Sequence, residues 1–430
     1  MLHTNNETGV IMIKTKIYKN GLRLIFEKND KSVVATSICF NVGSQNEAKH
    51  EEGYSHFVEH MIFKGTKNLS PIEIMDKLTF LGADFNAYTS KIATKFVFKC
   101  LDENFEKCFE IYSDMLIDAE FIEDELNKER QVVIEEMKRC EDEPTDVMYR
   151  RAMENFFVGY SYAHDELGQE ELIENVTRQQ LLDYKNKYYK SENCVISIVG
   201  NLEFEDVDRV VESYFSRFFN YDAKPLKHNF EPYEIKIENK YDIIERNDNQ
   251  ANVCIVIKSV TSADKDKHIC DLYTSILGSS QNSRLFKIIR EKLGLVYTIY
   301  AYNEMSPKTG ELIIVFGTRP KNVKKAMLEI KKAIDDFAKN GATVEELERA
   351  KNWKKSCLFF GMETNSNLAE INGTTFNVFD KIFNKDERYK QTQNVTLEEV
   401  NEFAKRIANE KILNVVAVGK NINLDDIMVF

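Results

Sequence analysis

At 430 residues the chain exceeds one comfortable hydrophobic core, which implies two domains or more. Its 43% hydrophobic and 30% charged content is that of a globular protein, and no run approaches the ~18 apolar residues a transmembrane helix needs. The net charge of −12, with no Lys/Arg cluster standing against it, argues against a nucleic-acid partner.

In chain order, Met1–Glu7 lacks a basic stretch followed by an apolar one, so no secretory signal is expected. Alternating runs at Ile13–Tyr18 and Leu22–Glu27 flank Asn20-Gly21, a strong hairpin signal, and a third strand is expected over Val33–Val42. A helix follows and ends near Gly65. Ser70 as N-cap and Pro71 at the first helical position start another, to Leu81. Ala83–Ser90 and Thr94–Leu101 alternate as strands. Helices are expected at Asn104–Ile117, from Glu123 to about Cys140 with Pro144 closing it, at Met148–Phe157 and at Thr177–Tyr188. A strand over Cys194–Val199 then runs into Gly200, and after about residue 221 the periodicity is lost.

The second half repeats the first. Asn175-Val176-Thr177 recurs as Asn394-Val395-Thr396, and the same offset of 219 carries Val199-Gly200 onto Val418-Gly419. So long a period excludes a solenoid and implies a duplicated α+β domain, each copy an antiparallel sheet packed with helices. The expected domains are 1–222 and 237–430, joined by a linker over 223–236. The eight cysteines form no C-x-x-C, and several lie in apolar strand-like runs, as reduced small hydrophobes of a cytoplasmic protein do.

Candidate chemistry lies in Gly53–Met61, which contains H-x-x-E-H. On a helix His56 and His60 stand one turn apart on one face, a spacing that suits a zinc ion, and Glu59 shares that face. The flanking Phe57, Val58, Met61, Ile62 and Phe63 mark the helix as buried, where polar groups need partners. A metal supplies them; so would hydrogen-bonding neighbours around two core histidines. A catalytic zinc needs a third ligand. In Glu129–Met137, positions 129, 132, 133 and 136 share a face, so Glu129 and Glu136 sit beside two valines. Both are candidates, and a glutamate-rich exposed helix accounts for them equally. The lone His268 of the second half is read as an ordinary histidine.

Taken together, these stretches resemble the insulinase/pitrilysin inverzincins, in particular the two-domain branch that includes mitochondrial processing peptidase β-subunits and bacterial relatives. The matching residues are Gly53-x-x-His56-Phe57-Val58-Glu59-His60-Met61-x-Phe63-Lys64-Gly65-Thr66, then Asn86-Ala87-Tyr88-Thr89-Ser90, then Glu129-Arg130-x-Val132-Val133-x-x-Glu136. Glu136 follows His60 by 76 positions, the family's spacing for its third ligand. The resemblance implies a zinc-dependent endopeptidase, one Zn²⁺ per chain, with His56, His60 and Glu136 as ligands and Glu59 as general base. Glu129 would orient a ligand histidine or the water. Asn86, Ala87, Tyr88 and Thr89 would receive an extended peptide. Arg290 would anchor the substrate backbone and Tyr297 would assist the oxyanion. The glycine-rich loop of the non-catalytic mitochondrial α-subunit is missing at Gly278-Ser279-Ser280. The implied activity is degradation of unfolded peptides or processing of presequence-like segments, by a homodimer with shared active sites. A catalytically silent scaffold, or a zinc-stabilised peptide-binding subunit, is the alternative.

Overall fold

Gly21 takes φ +83°, which a side chain would resist, and turns β1 (Met12–Ile17) back against β2 (Arg23–Lys28) in an antiparallel pair. The computed structural model describes residues 12–215, 222–226, 231–237 and 239–430. Met1–Glu7, and with it the expectation of no secretory signal, lies outside them. Of the expected linker 223–236, residues 227–230 also lie outside, and the others form neither helix nor strand. Among the described residues no helix is long and apolar enough to cross a membrane.

β1 and β2 join β3 (Val33–Phe40), β4 (Asp84–Thr89), β5 (Thr94–Leu101) and β6 (Cys194–Gly200) in a sheet ordered β1-β2-β6-β3-β5-β4. The second sheet holds β7 (Lys240–Glu245), β8 (Ala251–Lys258), β9 (Val296–Met305), β10 (Gly310–Thr318) and β11 (Leu413–Gly419), ordered β7-β11-β8-β10-β9. Without β1 the two orders are the same, so the repeat seen at residue level is a repeat of topology. Each sheet is expected to be antiparallel, but each contains one parallel pair. The last strand of each copy returns after a run of helices and inserts centrally, so β6 runs parallel to β2, and β11 to β7.

Spatially the chain forms two units, and each draws on both halves of the sequence. The first takes residues within Met1–Met137, His164–His228 and Phe360–Phe383; the second takes Lys138–Ala163, Asn229–Phe359 and Asn384–Phe430.

In the first unit, α1 (Tyr54–Ile62), α2 (Pro71–Phe80), α3 (Phe105–Asp118) and the first part of α4 (Glu123–Asp142) share one core with the sheet. Ser70 caps α2 by accepting from Glu73 N, as its sequence predicts. The helix Asn365–Phe379 covers the sheet's other face. Leu368 and Ala369 pack there on Ala35 and Val199, while Phe376 packs on Ile13, Ile25 and Val195. Asn372 donates to buried Glu27 at 2.6 Å, and Arg23 donates to Asn377 at 3.0 Å. Gly373 permits the close approach, since a Cβ there would lie 3.1 Å from that of Ser197.

In the second unit, α5 (Pro144–Phe156) packs on β8 and β11, and Asn414 donates to the Ala152 carbonyl at 2.8 Å. The preceding helix ends at Asp142, before Pro144, as expected, but α5 starts at Pro144 and not at the expected Met148, because proline at the first helical position forfeits no internal hydrogen bond.

Candidate metal centre

Four side chains of α1, Phe57, Val58, Met61 and Ile62, are fully buried. Each contributes about 1.5–3 kcal/mol, enough to hold a helix whose other stripe is polar. The helix has no Ser or Thr cap. Gly53 stands before it at φ +93°, and the Glu47 carboxylate accepts from Gly53 N at 2.9 Å and Ser55 N at 2.8 Å. A carboxylate at a helix N-terminus meets both the unpaired N–H groups and the dipole. Burial pushes the Glu47 carboxyl up to about 8, although those bonds oppose it.

His56 and His60 stand one turn apart, edge to face, with ring centroids 4.6 Å apart. Their Nε2 atoms each lie 3.8 Å from Glu136 Oε2, and donor atoms of the three residues fall within 4.8 Å of one another. Tetrahedral ligands at about 2.0–2.1 Å from zinc stand ~3.4 Å apart, so small side-chain adjustments would seat the ion. The donor chemistry also fits. Burial, with His60 adding, pushes the His56 imidazole down to about 3, so it is neutral and offers a lone pair. His56 Nδ1 is buried without a hydrogen-bond partner among the described residues. His60 Nδ1 lies 3.0 Å from Glu129 Oε2. Burial raises the Glu129 carboxyl, but His60 and Lys64, whose Nζ is 2.6 Å from Oε1, more than offset this and hold it below the usual range. An ionised Glu129 keeps the proton on Nδ1 and leaves Nε2 free to face Glu136.

The Glu59 carboxylate accepts from Thr89 Oγ1 at 2.6 Å, and burial raises its pKa. Thr89 is the last residue of β4, so the edge strand and the candidate base meet. Along β4, Ala87 and Thr89 share the face toward α1, while Asn86 is exposed and Tyr88 donates to Glu370 of the Asn365–Phe379 helix.

Arg290 and Tyr297 lie in the second unit. Arg290 sits in a wide π-helical turn, Phe286–Lys292, a geometry often met at functional sites. Its Nε donates to the Tyr297 carbonyl at 3.1 Å, and the Tyr297 hydroxyl accepts from Arg319 Nε at 2.9 Å. Tyr297 is half exposed on β9, the edge strand that matches β4.

Sequence reasoning missed Glu47, Lys64 and Arg319 as partners here. Lys64 was recoverable, being four residues after His60 on the same face. Glu47 and Arg319 had no local signal, since Glu47 reaches forward six and eight residues to Gly53 and Ser55 and Arg319 reaches Tyr297 across the β9–β10 ladder.

A family model described as insulinase (peptidase family M16) matches residues 23–167, and one described as the peptidase M16 inactive domain matches residues 175–353. The uncharacterized zinc protease YmxG of Bacillus subtilis is 30% identical over 93% of this chain and 96% of its own. A crystal structure of a protease from Helicobacter pylori shares the fold with a TM-score of 0.88 at 22% identity, covering 95% of this chain and 99% of that one. The periplasmic protease PqqL of Escherichia coli superposes with a TM-score of 0.80 at 19% identity, over 98% of this chain but 48% of PqqL. With both halves matched by models of one family and a relative 30% identical along almost the full length, the chain belongs to the insulinase family of peptidases, M16.

Proposed function

We propose that the chain is a zinc-dependent endopeptidase acting on extended, unfolded peptides. The observation that carries this reading is the convergence of His56, His60 and Glu136 beside Glu59, a carboxylate outside that donor set. A purely structural metal site has no use for such a group. Bound zinc would polarise water and the scissile carbonyl. Glu59 would accept the water's proton on its carboxylate and return it to the leaving amine, held in place meanwhile by Thr89. Glu129 would keep the His60 proton at Nδ1. The free edge of β4 at Asn86–Thr89 would offer main-chain N–H and C=O groups to an extended substrate, giving affinity with loose sequence preference. The deciding experiment incubates the purified protein with a mixed peptide pool, with and without chelator, and reads fragments by mass spectrometry. Chelator-sensitive internal cleavage is expected; an intact pool with zinc supplied would end the proposal.

The same reading makes the enzyme a homodimer in which Arg290 and Tyr297 of one copy serve the metal of the other. PqqL, whose chain is about twice as long, supports it, as does the frequency of two-fold pairing. Mixing inactive Glu59→Gln and Tyr297→Phe proteins should restore about half of the wild-type activity per heterodimer, for independent two-fold sites. No recovery after proven subunit exchange would remove the shared site. A cytoplasmic location is favoured by the eight cysteines, six of them buried as small hydrophobes, and cell fractionation tests it.

A further inference from the structure

The face of β4 turned away from α1 carries a cavity that the metal site does not use. It measures about 100 Å³ and lies between β3, β4 and β5 and the helix Asn365–Phe379. Ala35 and Val97 line its apolar part. Ser37, Asp84, Asn86, Lys99, Ser366 and Glu370 supply its polar groups. Ser37 is only 1% exposed, and its Oγ has no hydrogen-bond partner among the described residues. A buried hydroxyl left unpaired is costly, and Thr36 Oγ1, also on the cavity wall, has no partner among the described residues either; two such groups at one cavity point to a ligand.

The charges around the cavity decide what that ligand is. Asp84 and Lys99 neutralise each other at 2.7 Å, which leaves Glu370. Glu370 Oε2 accepts the Tyr88 hydroxyl and stands 3.9 Å from Lys95, but Lys95 does not line the cavity and donates to Thr374 at 2.9 Å. A carboxylate has acceptor capacity beyond one such bond, and Ser37 and Ser366 add hydroxyls. Apolar walls leading to acceptors suit a slender alkyl stem ending in an ammonium, whose three N–H groups need no coplanar fork.

Strand geometry says how such a group would arrive. A peptide added to the edge of β4 points alternate side chains to the two faces of the sheet. Those on the face of Thr89 meet the metal side; those between them meet the face of Asp84, Asn86 and Tyr88. From Thr89, which bonds Glu59, to Asn86 and Asp84 is three and five residues, or roughly 10 and 17 Å along a strand. We propose that this cavity, walled by a helix from the C-terminal half of the sequence, is a substrate subsite for a lysine side chain three to five residues from the scissile bond, on one side of it. The inference rests on the peptidase reading and on edge-strand addition.

The test uses fluorogenic extended peptides that differ only in carrying lysine or its uncharged isostere norleucine at successive positions. For the wild-type enzyme, kcat/KM should favour lysine about tenfold at one position, or at two of the same parity, three to five residues from the cut, the worth of one charge-assisted hydrogen bond. In Glu370→Gln that ratio should fall to near one, and in Ser37→Ala it should fall about threefold, with zinc content unchanged in both. Binding of the same peptides to the Glu59→Gln protein, followed by fluorescence anisotropy, should show the same preference without turnover. Cleavage with no lysine preference at that spacing, or a preference that survives Glu370→Gln, overturns the subsite and leaves the peptidase reading intact. Neither cleavage nor binding of any peptide overturns both.

Discussion

The two sheets share one strand order, yet their chemistry differs at the helix that follows the first central strand. In the first unit that helix is α1, whose His56 and His60 turn their Nε2 atoms to one carboxylate oxygen of Glu136. In the second unit it is Lys267–Leu277, whose buried His268 meets an amide and a hydroxyl: Nε2 lies 2.7 Å from Gln391 Oε1 and Nδ1 lies 3.4 Å from Thr392 Oγ1. One histidine is satisfied by neutral partners; the other two converge on a charge. The same contrast holds at the edges, where β4 ends on a threonine that bonds a glutamate and β9 begins beside two arginines. A duplicated backbone therefore supplies two similar platforms, and a few side chains decide which one can hold a cation.

That contrast breaks most sharply at the histidines. His60→Ala should abolish stoichiometric zinc in elemental analysis and with it activity. His268→Ala should keep the metal and lose only about 1–3 kcal/mol of stability, the cost of unpaired buried groups. Zinc retained in full by His60→Ala would erase the distinction between the two units. Next in size, Glu59→Gln should keep zinc and fold while peptide hydrolysis drops about 10²–10⁴-fold; wild-type turnover by that variant would show that Glu59 is not the base. Glu129→Gln should weaken zinc about 10–100-fold in a competition titration, because His60 loses the charge that orients it. Unchanged affinity would reduce Glu129 to a partner of Lys64.

The smallest effect concerns stability, and here the units resemble each other. Burial pushes Glu311 of β10 up to about 8, with Glu304 adding to it, much as burial raises Glu47 in the first unit. A carboxyl whose folded pKa lies above its unfolded value binds its proton more tightly when folded. Its stabilising contribution is complete below about pH 4.5 and is lost as pH rises through about 8. Glu311→Gln should therefore gain stability relative to wild type over that window, on the order of 1–3 kcal/mol at its upper end. Urea titrations at several pH values measure it, and parallel curves for the two proteins would contradict it.

Much of this is legible in the sequence alone. The 3.6-residue period puts His56, Glu59 and His60 on one stripe, Asn20-Gly21 demands a hairpin, Ser70-Pro71 starts a helix, and the 219-residue offset announces two copies. Each depends on interactions within a few residues, or on comparing the chain with itself. The start of α5 at Pro144 and not at Met148 is less legible, because a proline that ends one helix does not by itself announce the next, and the packing of α5 on β8 and β11 supplies that information.

What only the tertiary structure decided is contact between residues far apart in the chain. Glu129 and Glu136 share one face of α4, and periodicity alone cannot say which meets an Nε2 and which an Nδ1; the packing of α4 against α1 sets Glu136 toward both Nε2 atoms and Glu129 toward the His60 Nδ1. Thr89 reaching Glu59, Glu47 capping α1 and the insertion of β6 between β2 and β3 are of the same kind. So is the helix Asn365–Phe379, which covers a sheet built from the first half of the sequence. A sheet's second face needs some apolar cover, but local propensity carries no address for the segment that provides it. That choice is made by fit, with Gly373 admitting the helix to the small-residue surface around Ser197 and the buried Asn372–Glu27 and Arg23–Asn377 bonds setting its register.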